Sequence, residues 1–172
     1  MTDPDTSDTP DPSPATVRNT ALGLLARREH SRLELTRKLL QRYAGADVLI
    51  AEVITDLAER GLQSDLRCAE AFIHSRTNRG QGPLRIRSEL RQRGLEGEAV
   101  DALLEAAASN QEEATSPSDA EPSWEDRARS QAIRRFGSEP PEDRRDWARR
   151  ARFLSSRGFP ESVVMQVLGP IP

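Results

Sequence analysis

The chain has 172 residues, of which 35% are hydrophobic, 4% are aromatic and 31% are charged; these fractions favour a thin helical core over one large globular core. The net charge is −3, but residues 1–14 and 109–122 each carry four acids and no base, so that the remainder carries +5. No apolar run approaches the roughly 20 residues that cross a bilayer, and no signal peptide is recognisable, which predicts a cytoplasmic protein without a membrane partner.

The chain begins with residues 1–14, which are rich in Asp, Thr, Ser and Pro. Such a segment cannot bury enough apolar surface to offset the entropy of ordering, so we expect a disordered acidic tail. Residues 15–62 predict a first three-helix module, in which Ser31 and Glu34 have the spacing of a capping box. Its helices are predicted at about 15–29, 32–43 and 47–60.

A second three-helix module is predicted over residues 63–108. Gly80 and Gly82 are expected to end its first helix, because glycine tolerates positive φ, and Pro83 suits the first turn of the next helix. Its helices are predicted at about 65–78, 83–93 and 96–108.

Residues 109–122 predict an acidic linker, and residues 123–169 predict a third three-helix module. The helices of this module are predicted at about 123–136, 142–157 and 161–168.

A repeat supports this division into modules. Arg42, Arg93 and Arg157 each follow a leucine by three residues and precede a turn that contains glycine. A three-helix unit of this size buries little apolar area, so neighbouring units are expected to stack. The sequence therefore predicts an all-α fold of three tandem three-helix modules that form an elongated curved array.

The candidate functional residues are basic. Arg87 and Arg91 are four residues apart and lie beside the apolar stripe of the fifth predicted helix. On the eighth, Arg145, Arg149 and Arg152 fall on one side, and no acid stands four residues from Arg149. A solvated helical face is one interpretation, and a negatively charged partner is the other. The predicted partner-binding residues are Arg76, Arg79, Arg85, Arg87, Arg91, Arg145, Arg149 and Arg152.

Other reactive residue types have simpler interpretations. Cys68 is the sole cysteine, which excludes an internal disulfide, and it is expected to be a small buried residue. Glu89 is expected to pair with Arg85 or Arg93, each four residues away. His30 and His74 are too far apart in sequence for a local metal site.

The Gly80-Gln81-Gly82 segment does not follow a strand, so it does not predict a phosphate-binding loop. No nucleophile and base occur at a suggestive spacing. We therefore expect no enzymatic activity, no cofactor and no metal.

Three segments carry a resemblance to a known family: Ala21–Leu39, Ala69–Leu95 and Ala151–Leu168. The middle segment is the most specific, with its Gly82-Pro83 pair followed by Glu89-Leu90 and Gly94. Over roughly residues 19–168 the chain resembles the RecX family, the regulators of the RecA recombinase. It departs from the family at Cys68, where an aromatic residue is more common, and in its long acidic linker.

The resemblance implies a non-catalytic, monomeric protein that lies in the groove of the RecA–single-stranded DNA filament. There it would block filament growth or promote disassembly, and so lower strand exchange, ATPase and coprotease activity. A RecA-independent, helical-repeat DNA-binding protein and a generic adaptor scaffold are the alternatives. The absence of exposed aromatic stacking residues among the arginines argues against strong binding of free single strands.

Overall fold

The computed structural model describes residues 12–109 and 122–172, which contain nine α-helices and no strand. The all-α prediction is confirmed. The predicted acidic linker falls almost entirely outside the described residues, as does the predicted tail up to residue 11. The helices are α1 (Pro14–Leu25), α2 (Arg32–Arg42), α3 (Asp47–Glu59), α4 (Asp65–Asn78), α5 (Pro83–Gln92), α6 (Glu98–Ser109), α7 (Trp124–Phe136), α8 (Arg144–Ser156) and α9 (Glu161–Leu168).

The chain divides into two compact units, residues 1–68 and residues 69–172. In the first unit, α1, α2 and α3 pack on one another around an aliphatic core. Leu35 and Leu39 of α2 are fully buried in this core, and so are Ile50 and Leu57 of α3. These residues recur at helical spacing, which explains why the three helices bury one face each.

Side-chain caps fix where the helices of the first unit begin. The predicted capping box is confirmed, since the Glu34 N–H donates to Ser31 Oγ over 3.1 Å. Helix α1 begins at Pro14, one residue earlier than predicted, because Ser13 and Thr16 form a second capping box. The prediction that residues 13 and 14 belong to a disordered tail is therefore wrong.

Buried polar groups join α2 to the start of α4. The Gln63 amide donates to the backbone oxygen of His30 over 3.2 Å and to a carboxylate oxygen of Asp65 over 2.8 Å. His30 is only 3% exposed, and this burial lowers the pKa of its imidazole. Cys68 is also 3% exposed, which confirms its prediction as a buried residue.

The second unit contains most of α4 together with α5 to α9. The leucine predicted to recur before each turn is fully buried in all three copies, as Leu39, Leu90 and Leu154. The repeat is therefore a structural one, and the fold comprises three groups of three helices: α1–α3, α4–α6 and α7–α9. We call these groups modules 1, 2 and 3.

Modules 2 and 3 meet where two turns pair through their main chains. The Gly82 N–H donates to the backbone oxygen of Arg157 over 2.8 Å, and the Leu84 N–H donates to that of Gly158 over 3.0 Å. A Cβ atom on Gly82 would lie 2.5 Å from backbone atoms of Gly158 and Phe159. We call this contact the turn joint.

The turn joint changes the explanation for one glycine. Gly80 has φ of 72°, as expected for a residue that ends a helix. Gly82 has φ of −87°, which any residue adopts, so the prediction of positive φ is wrong there. Glycine occupies this position because the backbone of the α8–α9 turn approaches too closely for a side chain.

Arg157 adds a side chain to the turn joint. Its Nη1 lies 3.3 Å from the backbone oxygens of Arg79 and of Gly80, at the end of α4. These oxygens stand at the C-terminal end of a helix, where a cation is favoured. The guanidinium also lies 5.0 Å from the ring centroid of Phe153 on α8. Arg157 therefore connects α8 to the end of α4 in the neighbouring module.

Candidate partner-binding surface

The arginines around α5 divide into paired and unpaired ones, and one carboxylate accounts for two of the pairs. Glu89 contacts Arg85 over 3.1 Å, as predicted, and also contacts Arg76 of the preceding helix over 2.9 Å. The Arg76 guanidinium lies 4.7 Å from the ring centroid of Phe72. Arg87 contacts Asp101 of α6 over 3.0 Å. Arg76, Arg85 and Arg87 therefore hold module 2 together.

Arg79 and Arg91 differ from these three. Both are exposed, and within residues 12–109 and 122–172 no carboxylate pairs with either side chain. Arg91 lies in the last turn of α5, and Arg79 lies between α4 and the turn joint. Their charges face water, so they are available to a partner.

The arginines of α8 share a second carboxylate, Asp146. It contacts Arg149 over 2.6 Å and Arg150 over 2.8 Å. Asp146 lies three residues from Arg149, so the lack of an acid four residues away did not leave Arg149 unpaired. Hydrogen bonds from Arg150 first, and then from Arg149, hold the pKa of Asp146 below its usual range.

Arg150 is the residue that sequence reasoning missed. It is only 7% exposed, and its Nη1 donates to the backbone oxygen of Glu139 over 2.6 Å. Its guanidinium lies 5.5 Å from the ring centroid of Phe136. Arg150 thus fixes the segment between α7 and α8 against α8. Its spacing, three residues after Trp147 and four before the buried Leu154, is the signal in the sequence that could have identified it.

The predicted basic side of α8 does form one surface. Arg145 and Arg152 are exposed, and no carboxylate in the described part of the chain pairs with them. Together with Arg149 they line an open groove of about 570 Å³. The same groove is also lined by Phe136, Glu142, Asp143, Asp146 and Arg150.

An aromatic pair lies beside these arginines. The rings of Phe136 and Phe153 meet edge to face, with centroids 5.3 Å apart. The Arg149 guanidinium lies 5.3 Å from the Phe136 centroid. Both rings are half-buried, and they line a second groove of about 510 Å³ together with Arg135 and Arg149. Neither ring is a fully exposed side chain, in agreement with the prediction, but two half-buried rings do lie among the arginines, which the sequence did not indicate.

Metal-binding groups and membrane-spanning helices are two further features that the described residues could contain. In the described residues, no group of three or more His, Cys, Asp or Glu side chains is placed to hold a metal ion. None of the helices described here has the length and apolar composition to cross a membrane.

Family models match each of the three modules. The model described as RecX, first three-helix domain, matches residues 18–57. The second three-helix domain matches residues 64–104, and the third matches residues 124–168. The chain belongs to the RecX family. The resemblance noted in the sequence is confirmed, and with it the interpretation of the repeat as three related modules.

Named relatives extend along most of the RecX chain. A Pseudomonas putida protein named Regulatory protein RecX is 43% identical over 156 residues, which cover 91% of each chain. A Halorhodospira halophila protein of the same name is 47% identical over 144 residues, covering 83% of this chain and 80% of the relative. The crystal structure of RecX from Lactobacillus salivarius has a TM-score of 0.69 and 19% identity, covering 90% of this chain and 93% of the other. That structure supports the fold alone.

Proposed function

We propose that this RecX protein is a non-catalytic inhibitor of the RecA recombinase that binds the RecA–single-stranded DNA filament. Membership of the RecX family and the relatives named as regulatory proteins support a regulatory role. By binding in the filament groove, the protein would hinder filament growth and lower ATPase activity and strand exchange. Such a protein would act in the cytoplasm as a monomer and would need no catalytic group.

The observation that carries this proposal is a set of arginines in the second unit that have no acidic partner among the residues the structure describes. Guanidinium groups hold phosphates and carboxylates in bidentate pairs, and a filament of DNA and protein presents both groups in a repeating array. The direct contacts are assigned to Arg79, Arg91, Arg145 and Arg152, with Arg149 contributing because its side chain is 63% exposed despite its pair.

The other predicted residues have a supporting role in this proposal. Arg76, Arg85 and Arg87 each contact a carboxylate of their own module, so a partner would have to compete with that carboxylate. Ion pairs of partly exposed side chains such as Arg85 and Arg87 are worth about 0–1 kcal/mol each, so their exchange for a stronger partner costs little, whereas Arg76, only 21% exposed, would exchange less readily. These three arginines would add to the positive potential of the surface without forming its main contacts.

The test is the single-stranded DNA-dependent ATPase rate of RecA, measured with and without stoichiometric protein. We expect the wild-type chain to lower the rate and the double variant Arg145→Ala/Arg152→Ala to do so only at higher concentration. Arg27→Ala/Lys38→Ala removes the same charge from exposed positions of module 1 and serves as the control. An unchanged rate with wild-type protein would contradict the proposal. If both double variants lose inhibition to the same extent, the effect depends on net charge and not on the position of the arginines.

A RecA-independent DNA-binding protein is the second candidate, and the Phe136–Phe153 pair beside Arg149 favours it. It predicts affinity for free DNA that falls steeply with salt, with a log–log slope of about −0.7 to −0.9 per phosphate contacted. Binding to free DNA without any change in RecA ATPase rate would replace the first candidate by this one.

A further inference from the structure

The end of α7 and the middle of α8 place two aromatic rings among guanidinium groups. We call Arg135, Phe136, Arg149, Arg150 and Phe153 the arginine–phenylalanine cluster. Three of its arginines lie within 6.0 Å of the Phe136 ring centroid: Arg149 at 5.3 Å, Arg150 at 5.5 Å and Arg135 at 6.0 Å. Planar guanidinium groups and aromatic rings both present flat faces on which a further planar group can stack.

The mobility of this cluster is limited by its buried member. Arg150 is held at once by Asp146 over 2.8 Å, by the backbone oxygen of Glu139 over 2.6 Å and by the face of Phe136. Phe136 is therefore fixed between a buried arginine and the edge-to-face contact with Phe153. A rigid aromatic surface loses little entropy when a ligand binds to it.

Two grooves adjoin at the cluster, and they differ in charge. Phe136 and Arg149 line both of them. The first groove also contains Arg145 and Arg152, whose charges are unpaired among the described residues, together with acidic side chains. The second groove is lined by Arg135, Phe136, Arg149 and Phe153, without a carboxylate. The second groove is thus cationic and aromatic, and it adjoins a first groove that contains two guanidinium groups unpaired among the described residues.

We propose that the arginine–phenylalanine cluster binds the bases of single-stranded DNA by stacking, with Arg145 and Arg152 on the adjoining phosphates. Non-specific single-strand binding combines these two elements, because every base has a flat face and every nucleotide has a phosphate. This inference rests on the proposed function and deepens it, since it assigns module 3 to the DNA strand of the filament.

An acidic surface of a protein partner explains the cluster less well. Carboxylates would be held by the guanidinium groups alone and would gain nothing from the two phenylalanine rings. The groove without a carboxylate is also the one lined by both rings, so a base stacked there would contact the rings and the guanidinium groups together. The aromatic and cationic groups are therefore accounted for together by a nucleotide chain.

The experiment compares two oligomers that carry the same number of phosphates, an oligothymidylate and an abasic chain. Fluorescence anisotropy with the full-length protein is expected to show about ten-fold tighter binding of the oligothymidylate, since stacking one base contributes that much affinity. Phe136→Leu and Phe153→Leu should each reduce this preference several-fold. The matched control is Phe72→Leu, which removes a phenylalanine that lies between Arg76 and Arg93 outside the cluster.

A second measurement does not depend on the variants folding. An oligothymidylate with 5-iododeoxyuridine in place of thymidine is irradiated with the wild-type chain, and the crosslinked peptides are mapped by mass spectrometry. Crosslinks at Phe136 or Phe153 are expected. Crosslinks confined to other peptides, or equal affinity for the abasic chain, would overturn the inference.

The outcome for the RecA proposal is read separately from the ATPase rate. If wild-type protein inhibits RecA but shows no preference for bases, the cluster contacts protein and the inference fails while the proposed function stands. If it prefers bases but leaves the ATPase rate unchanged, the inference stands and the RecA proposal fails.

Discussion

Helices α5 and α8 occupy equivalent places in modules 2 and 3, and each carries one carboxylate that pairs with two arginines. On α5, Glu89 reaches Arg76 of the neighbouring helix and the exposed Arg85. On α8, Asp146 holds Arg149 and the buried Arg150 within a single helix. The first arrangement fastens two helices together, and the second fixes the wall of a groove. The number of arginines is a poor guide to a binding surface, and their pairing is a better one.

The largest effect is expected at the turn joint, which connects the start of α5 to the end of α8. Gly82→Val would place its Cβ 2.5 Å from the backbone of Gly158 and Phe159, so the two turns would have to separate. We expect the free energy of unfolding to fall by about 1–3 kcal/mol, measured by urea denaturation.

Gly23→Ala is the control for this prediction. Gly23 lies in α1 and nothing stands within 4 Å of a Cβ atom there. Alanine at this position is expected to raise stability by about 0.5–1 kcal/mol. An unchanged urea midpoint for Gly82→Val would show that the close approach of the two turns is mistaken.

A second prediction compares two arginines of the same helix. Arg150→Leu would remove the hydrogen bonds to Asp146 and to the Glu139 oxygen, and we expect a loss of about 2 kcal/mol in unfolding free energy. Arg152→Leu, at an exposed position, should change it by less than about 0.5 kcal/mol. Equal effects at the two positions would contradict the assignment of Arg150 as the structural arginine of α8.

Loss of the Glu89 carboxylate on α5 is expected to lower the free energy of unfolding less than loss of Arg150, the buried partner of Asp146 on α8. Glu89→Gln would weaken the contacts with Arg76 and Arg85, both of which are at least partly in water. We expect the free energy of unfolding to fall by about 1 kcal/mol or less, measured by thermal or urea denaturation. A larger loss than that of Arg150→Leu would reverse the comparison between the two helices.

The pH dependence of stability provides a further test of the Asp146 contacts on α8. Because Asp146 has its pKa lowered by Arg150 and Arg149, its pairing stabilises the protein above the unfolded value of about 3.9. That stability is lost as the pH falls through the lower, folded-state pKa. The urea midpoint of Asp146→Asn should therefore fall less between pH of about 5 and about 2 than that of the wild type.

Asp56 provides an internal reference for this titration. Hydrogen bonds from Arg60 first, and then from Arg18, lower its pKa in the first unit. Asp56→Asn should flatten the acid response in the same direction, through a different pair of arginines. If neither variant differs from the wild type below pH of about 4, other groups determine the acid unfolding.

Local features of the fold could be predicted from the sequence because their causes are local. The Ser31–Glu34 capping box was identifiable, since both residues act within one turn of helix. The bounds of α9 were predicted correctly from Glu161 and the glycine after Leu168. The buried leucine before each turn emerged from the repeat, because the same packing position recurs in each module.

Contacts between distant segments could not be predicted in the same way. Nothing in the sequence around Gly82 indicates that another turn lies against it. The sequence therefore predicts a glycine that adopts positive φ, whereas the structure requires glycine because the backbone of another turn approaches closely. Phe136 and Phe153 belong to different helices, and only the packing of α7 on α8 brings them together. Arg150 stands three residues after Trp147 and four before the buried Leu154, so its place on the buried face was readable from helical spacing. Its hydrogen bond to the Glu139 oxygen, however, depends on where the segment before α8 runs.

The turn joint also bears on the segment that separates modules 2 and 3 in sequence. Because the main chains of Gly82, Leu84, Arg157 and Gly158 already hold the two modules together, residues 110–121 need not set their arrangement. In general, doubling the length of a loop adds only about 0.6 kcal/mol to the entropic cost of closing it. Insertions there should therefore accumulate between related proteins without displacing the final three helices.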